Sequence, residues 1–323
     1  MKFNLKKSVS RSGLTAALSF AILSALPGVA SADALAQSIL NISNFQITSA
    51  AGATITYSGT GANSSYQASL VGFGGCGANN IAGLNPLLTC AVGPNSGLYA
   101  PGVPNFKPNA PTGTFAGSSV SVTGNALAAG ALAKADNTVS LLPTGDGASI
   151  SATNLSSDFQ VVVTAPTTLS FSFSSLLFLR AYLFTSQPFL GGNSTANAGW
   201  SVNIRDNDNN GALVFSWAPD GTVNAIVGGI ETADSFALNG TNNLSVNSNN
   251  KDFQYNSATA ALTSNFAAST NTLRTGSYVI TVDHKSQANS NLAVPEPGSL
   301  ALVGVSLLGL AAVGRRRGMR QAT

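Results

Sequence analysis

From Leu155 onward the chain alternates between apolar and polar residues, and that alternation limits what it can fold into. Phe159, Val161 and Val163 alternate with Gln160 and Thr164; Leu169, Phe171 and Phe173 alternate with Ser170, Ser172 and Ser174. Trp200, Val202 and Ile204 alternate with Ser201, Asn203 and Arg205. Leu213, Phe215 and Trp217, and later Tyr278, Ile280 and Val282, repeat the pattern. A period of two places successive side chains on opposite faces, so each run reads as a strand with one buried face. Turn-forming clusters separate the runs: 206–211, Pro219-Asp220-Gly221 and Thr275-Gly276. Several short strands at this spacing predict an all-β fold, an antiparallel β-sandwich of jelly-roll-like type with long Gly/Pro-rich loops. Trp200 and Trp217 share the parity of the core stripes and are expected inside. The apolar run 176–184, interrupted only by Arg180, fits either a strand buried on both faces or a helical turn. Its Ser-rich flank and Pro188 favour the strand.

The first half is less regular. Strands are expected at 44–48 and 53–57, a loop-like region dense in Gly and Pro at 72–117, and one short Ala-rich helix at 125–135. This half is expected to supply strands and connections to the same body, with the regular strands mainly in 155–285.

Only 8% of residues are charged, against roughly a quarter in ordinary domains. The 44% apolar content nevertheless suffices to bury a core, which separates this chain from disordered ones. The formal charge of +3 misleads, because eight of the 15 basic residues lie in the first 32 and last 30 positions. Between Asp33 and Ala293 seven basic residues face eleven acidic ones, a net −4. No basic patch for nucleic acid is visible.

Chemistry is sparse. Cys76 and Cys90 are the two cysteines, an even count that reads as one disulfide if the chain leaves the cytoplasm. His284 is the single histidine and follows an apolar stripe, as a strand-end residue would; no Gly-x-Ser-x-Gly elbow accompanies it. Glu231 is the one glutamate of the body, so a carboxylate pair for glycoside hydrolysis has little to draw on. The segment Asp206-Asn207-Asp208-Asn209-Asn210-Gly211 resembles the first half of a calcium loop, with Asp206, Asp208 and Asn210 as ligands. The twelfth position is Trp217 instead of glutamate, so a polar hairpin is the expectation. No enzyme activity, cofactor or metal follows from these residues.

The two ends carry the functional information. Lys2, Lys6, Lys7 and Arg11 precede an apolar stretch at 14–26, then Ala30-Ser31-Ala32. Basic flank, short apolar core and A-x-A site make residues 1–32 a signal peptide, cut after Ala32 by signal peptidase. At the other end Pro295-Glu296-Pro297 precedes an uncharged run of about 17 residues, then Arg315, Arg316 and Arg317. Such a run can halt export, with the arginines held on the cytoplasmic side. The prolines keep the approach extended.

This three-part order in 294–323 resembles the PEP-CTERM sorting signal. The resemblance implies a transmembrane helix, recognition of Pro-Glu-Pro by a membrane-embedded exosortase, removal of the tail, and kinship with proteins of exopolysaccharide and biofilm matrix. An unprocessed membrane anchor is the other reading of the same residues. The organisation is therefore a signal peptide (1–32), a β-rich extracytoplasmic body (33–293) and a sorting tail (294–323). The expected role is that of a non-catalytic surface or matrix protein that passes transiently through the inner membrane. Carbohydrate binding by the sandwich, with the matrix polysaccharide as partner, is the alternative, and a secreted hydrolase the third.

Overall fold

The computed structural model describes residues 32–50, 53–57, 63–82, 87–100, 113–123, 129–140, 147–185, 191–247, 251–255, 264–293, 304 and 306–309. The described body is all-β. Five long strands form its frame: β1 (Ala32–Ser49), β8 (Gly147–Val163), β9 (Leu169–Thr185), β10 (Gly191–Asp206) and β17 (Gly276–Ala293). The first half supplies six more: β2 (Ala53–Tyr57), β3 (Asn63–Leu70), β4 (Gly74–Ala82), β5 (Leu88–Val92), β6 (Phe115–Thr123) and β7 (Ala129–Ser140). The second half adds β11 (Ala212–Trp217), β12 (Ala225–Ile226), β13 (Gly229–Ala233), β14 (Asn239–Val246), β15 (Lys251–Tyr255) and β16 (Ser264–Thr270).

They form two antiparallel sheets. Sheet A runs β12-β13-β16-β9-β1-β7-β6-β5, with β15 also on β9; sheet B runs β11-β10-β17-β8-β3-β4, with β14 on β10 and β2 on β8. Both halves of the chain contribute to both sheets. Each sheet keeps one apolar face, and the two faces meet.

Alternation fixes register, and β1 shows how. Leu40 and Ile42 face the core at even positions, Phe45 and Ile47 at odd ones. The change of parity needs one extra residue. Asn44, at φ 55°, supplies it as a bulge, and β1's pairing with both β7 and β9 shifts there.

One half of the core is aromatic. Phe173 of β9 stacks on Phe266 of β16 at 4.7 Å between ring centres. It meets Trp200 of β10 at 4.2 Å and Trp217 of β11 at 5.5 Å, and so joins the two sheets. Phe45, Phe171 and Phe215 extend the cluster. The other half is built from small residues. Ser38 Oγ of sheet A lies 2.5 Å from Ser286 Oγ of sheet B and donates to the Asn197 carbonyl at 2.7 Å. Ser194 Oγ donates to the Leu35 carbonyl, and Ser151 Oγ to the Gly117 carbonyl. A serine hydroxyl is short, so these cross-sheet bonds draw the sheets nearer than the roughly 10 Å usual for packed sheets. The sandwich tapers.

Both lateral edges are joined. The Cys76–Cys90 disulfide links β4, the edge of sheet B, to β5, the edge of sheet A, with Cα atoms 5.8 Å apart. On the opposite side Ser216 N–H of β11 donates to the Val227 carbonyl beside β12, at 3.0 Å. The thin end is also where the body begins and finishes: Ala34 of β1, Leu183 of β9 and Leu292 of β17 share one apolar cluster.

Three expectations are corrected. Of the helix expected at 125–135, residues 129–135 are strand: 129–140 is β7, with β1 on one side and β6 on the other, and 125–128 lie outside the described residues. Alanine is the best helix former, but propensity is a weak prior, and the two ladders that β7 joins outweigh it. The loop-like region 72–117 contains β4, β5 and the start of β6. Glycine hid β4, which lies so close to β3 that a Cβ on Gly77 would meet the Tyr66 carbonyl oxygen at 2.2 Å. His284 stands within β17, opposite Trp200 and Leu155, with strand continuing to Ala293. The run 176–184 is strand, within β9.

Phe173→Ala should cost about 3–5 kcal/mol, because it empties the centre of the aromatic cluster. Reducing the disulfide should cost about 3 kcal/mol by the loop-entropy model. Urea denaturation of each, against the oxidised parent, measures both.

Candidate functional site

Of the processing residues, Ala32 opens β1 and pairs with Thr185. The expected signal-peptidase cut thus falls at the start of a strand, leaving Asp33 already in the ladder. Ala30, Pro295, Glu296, Pro297, Arg315, Arg316 and Arg317 lie outside the described residues. Gly304 and 306–309 are helical, and among the described residues no helix is long and apolar enough to cross a membrane.

The 206–211 segment is the hairpin between β10 and β11, and its carboxylates have protein partners. Asp206 Oδ1 accepts the Asp208 N–H at 3.0 Å, and Asp206 Oδ2 pairs with Arg274 Nη2 at 2.6 Å. Asp208 Oδ2 accepts the Ser277 N–H at 2.8 Å. Asn210 at φ 53° and Gly211 at φ 71° make the turn. These residues tie the hairpin to the start of β17. They do not form a cage of free oxygens.

The acidic residues that converge are others. One carboxylate oxygen each from Asp220, Glu231 and Asp234 lies within 4.8 Å of the other two, a spacing that could hold a metal ion. Glu231 is buried on β13; its Oε1 accepts the Trp217 Nε1–H at 2.5 Å and its Oε2 the Asn224 N–H at 3.2 Å. Asp234 Oδ2 accepts the N–H groups of Asp220, Gly221 and Thr222 at 2.8, 2.8 and 3.2 Å. Asp234 Oδ1 is buried without a partner. Burial raises the pKa of Glu231, with the neighbouring aspartates adding to it and the Trp217 and Asn224 bonds opposing. Burial likewise raises Asp234 against its three backbone donors. The alternation pattern could not reveal this group, because its members come from a loop, a strand and the bend after it.

His284 is buried between the sheets, and neither ring nitrogen has a partner in hydrogen-bonding geometry. Burial pulls its pKa down to about 3, with the Leu40 backbone working slightly the other way. A nucleophile–histidine pair needs the imidazole within reach of the nucleophile and its substrate, and this ring is closed off from solvent. Trp200 and Trp217 are buried as expected, so neither offers a face to a sugar. The disulfide links Cys76 and Cys90.

Residues 293–317 match the family model of the PEP-CTERM protein-sorting motif. No curated protein and no solved structure matches the chain. The motif implies processing by an exosortase and export to the cell envelope or surface by way of a membrane intermediate.

The buried groups set opposite pH trends. His284 has a folded pKa below its unfolded value, so its full contribution is present above about pH 6.5 and is lost as pH falls toward 3. Glu231 has a raised folded pKa, so its contribution is present in acid and lost as pH rises through that value. From pH 7.5 to 5, the parent should lose about 2 kcal/mol more stability than His284→Leu. From pH 5 to 7.5, Glu231→Gln should lose less than the parent. Urea titrations at the two pH values read out both.

Proposed function

We propose that this chain is an exported surface or extracellular-matrix protein with a non-catalytic structural or interaction role, associated with exopolysaccharide or biofilm. The sorting motif at 293–317 is the observation that carries the reading. Signal peptidase cuts after Ala32. The apolar segment then holds the chain in the inner membrane with Arg315, Arg316 and Arg317 inside, and exosortase cuts close to Pro295-Glu296-Pro297.

The body is compatible with such a role. Its low charge, disulfide and joined edges suit an oxidising exterior. The single histidine is shut in the core, where it serves packing. Carbohydrate binding would need exposed aromatic faces to stack on a sugar, and Trp200 and Trp217 are both committed to the aromatic core.

Replacing Pro295, Glu296 and Pro297 together by alanine should trap a full-length, membrane-bound form. Mass spectrometry of the parent should find Asp33 as the first residue and a C-terminus near the triplet. If the triple variant is processed and released like the parent, the motif is not being read as a sorting signal.

A further inference from the structure

We propose that the hairpin tip Val71-Gly72-Phe73 dips into the membrane interface while the body is still held by its sorting segment; this rests on the sorting reading above. Three independent observations meet at one pole of the sandwich.

The first is position. Leu70 of β3 pairs with Ser149 of β8, which pairs with Ser290 of β17. The β3–β4 turn therefore projects at the level where β17 ends at Ala293, two strands to the side in the same sheet. The chain beyond that point carries the Pro-Glu-Pro triplet, the apolar run and the arginines. Whatever bilayer holds that run lies next to this pole.

The second is exposure. Val71 is 60% and Phe73 57% exposed, side by side on a turn closed by the Phe73 N–H to Leu70 carbonyl bond at 3.0 Å. Leu98 is 48% exposed in the 3-10 turn after Gly93, and Gly93 packs on the Leu70 side chain. Folding has not buried these groups. Gly72 and Gly74 take positive φ and make the turn tight, and the disulfide from Cys76 to β5 steadies its base.

The third is charge. No charged residue occurs between Asp33 and Lys107, so the tip, the strands that carry it and the Leu98 turn are wholly uncharged. Among the described residues, the charged positions at this level, Asp33, Lys251 and Asp252, are on strands of sheet A, across the sandwich, while Asp146, just before β8, lies outside the described residues. The opposite pole carries Arg205, Asp206, Asp208 and Arg274. Exposed apolar side chains on an uncharged turn suit the headgroup–acyl boundary, where a charge would be costly. Two or three such side chains are too few to hold a free protein on a bilayer. A tether makes the contact intramolecular, and there they suffice.

The test uses the full chain reconstituted in phosphatidylethanolamine/phosphatidylglycerol vesicles with and without brominated acyl chains. Phe73→Trp places a reporter at the tip. Leu213→Trp places one at the far pole, exposed and paired with Arg205, about 45 Å of strand away from Ala293. Trp200 and Trp217 give the same buried background in both. Bromolipid quenching of the added tryptophan should be at least about twofold greater at position 73 than at 213. Resistance to alkaline carbonate extraction reports insertion of the sorting segment separately. A carbonate-resistant chain with equal quenching at the two positions overturns the proposal and leaves the sorting reading standing. A chain that carbonate extracts overturns both.

Discussion

The contact of Phe173 with Trp200 and Trp217 is the constraint on which the body depends. A sheet with one apolar face is not stable alone in water; it needs a second sheet turned toward it. Phe173 joins them at two indoles, with Phe266 stacked behind it in its own sheet. Rings of this size set the sheet spacing locally, and everything nearby conforms to it. Away from them the chain changes to alanine and serine, and hydroxyls bond directly to the main chain of the facing sheet. The taper therefore comes from side-chain volume along the strands.

Much of this was legible in the sequence because a period of two is a direct image of a one-sided strand. The stripes of β8, β9, β10, β11 and β17 could be read residue by residue, and the parity of Trp200 and Trp217 gave their burial. The first half resisted for physical reasons. Glycines in β4 carry no side chain to alternate, and Asn44 inverts the parity of β1 in mid-strand. In β7 the alanines carry a helical preference that is overruled by neighbours far away in sequence.

The sites divide in the same way. The sorting signal is local and linear, so it could be read from its own residues. The Cys76–Cys90 link could be read from cysteine count and compartment. Asp220, Glu231 and Asp234 could not, since their meeting depends on how the strand after Trp217 folds back beneath its indole. The calcium-like spelling at 206–211 misled in the other direction. Its carboxylates are taken up within the turn and by Arg274 and Ser277 far along the chain, and spelling alone does not show that.

The taper bears on how the body responds to force. Its first and last strands both leave at the thin end, one from each sheet. A pull between these two ends does not shear the long backbone ladders, where many hydrogen bonds would have to break together. It peels one sheet from the other, beginning among small side chains and single hydroxyl bonds and working toward the rings. Peeling loads contacts one at a time, and the thin end is loaded before the aromatic half. The disulfide and the Ser216–Val227 bridge stand at the lateral margins and limit how far such an opening can spread.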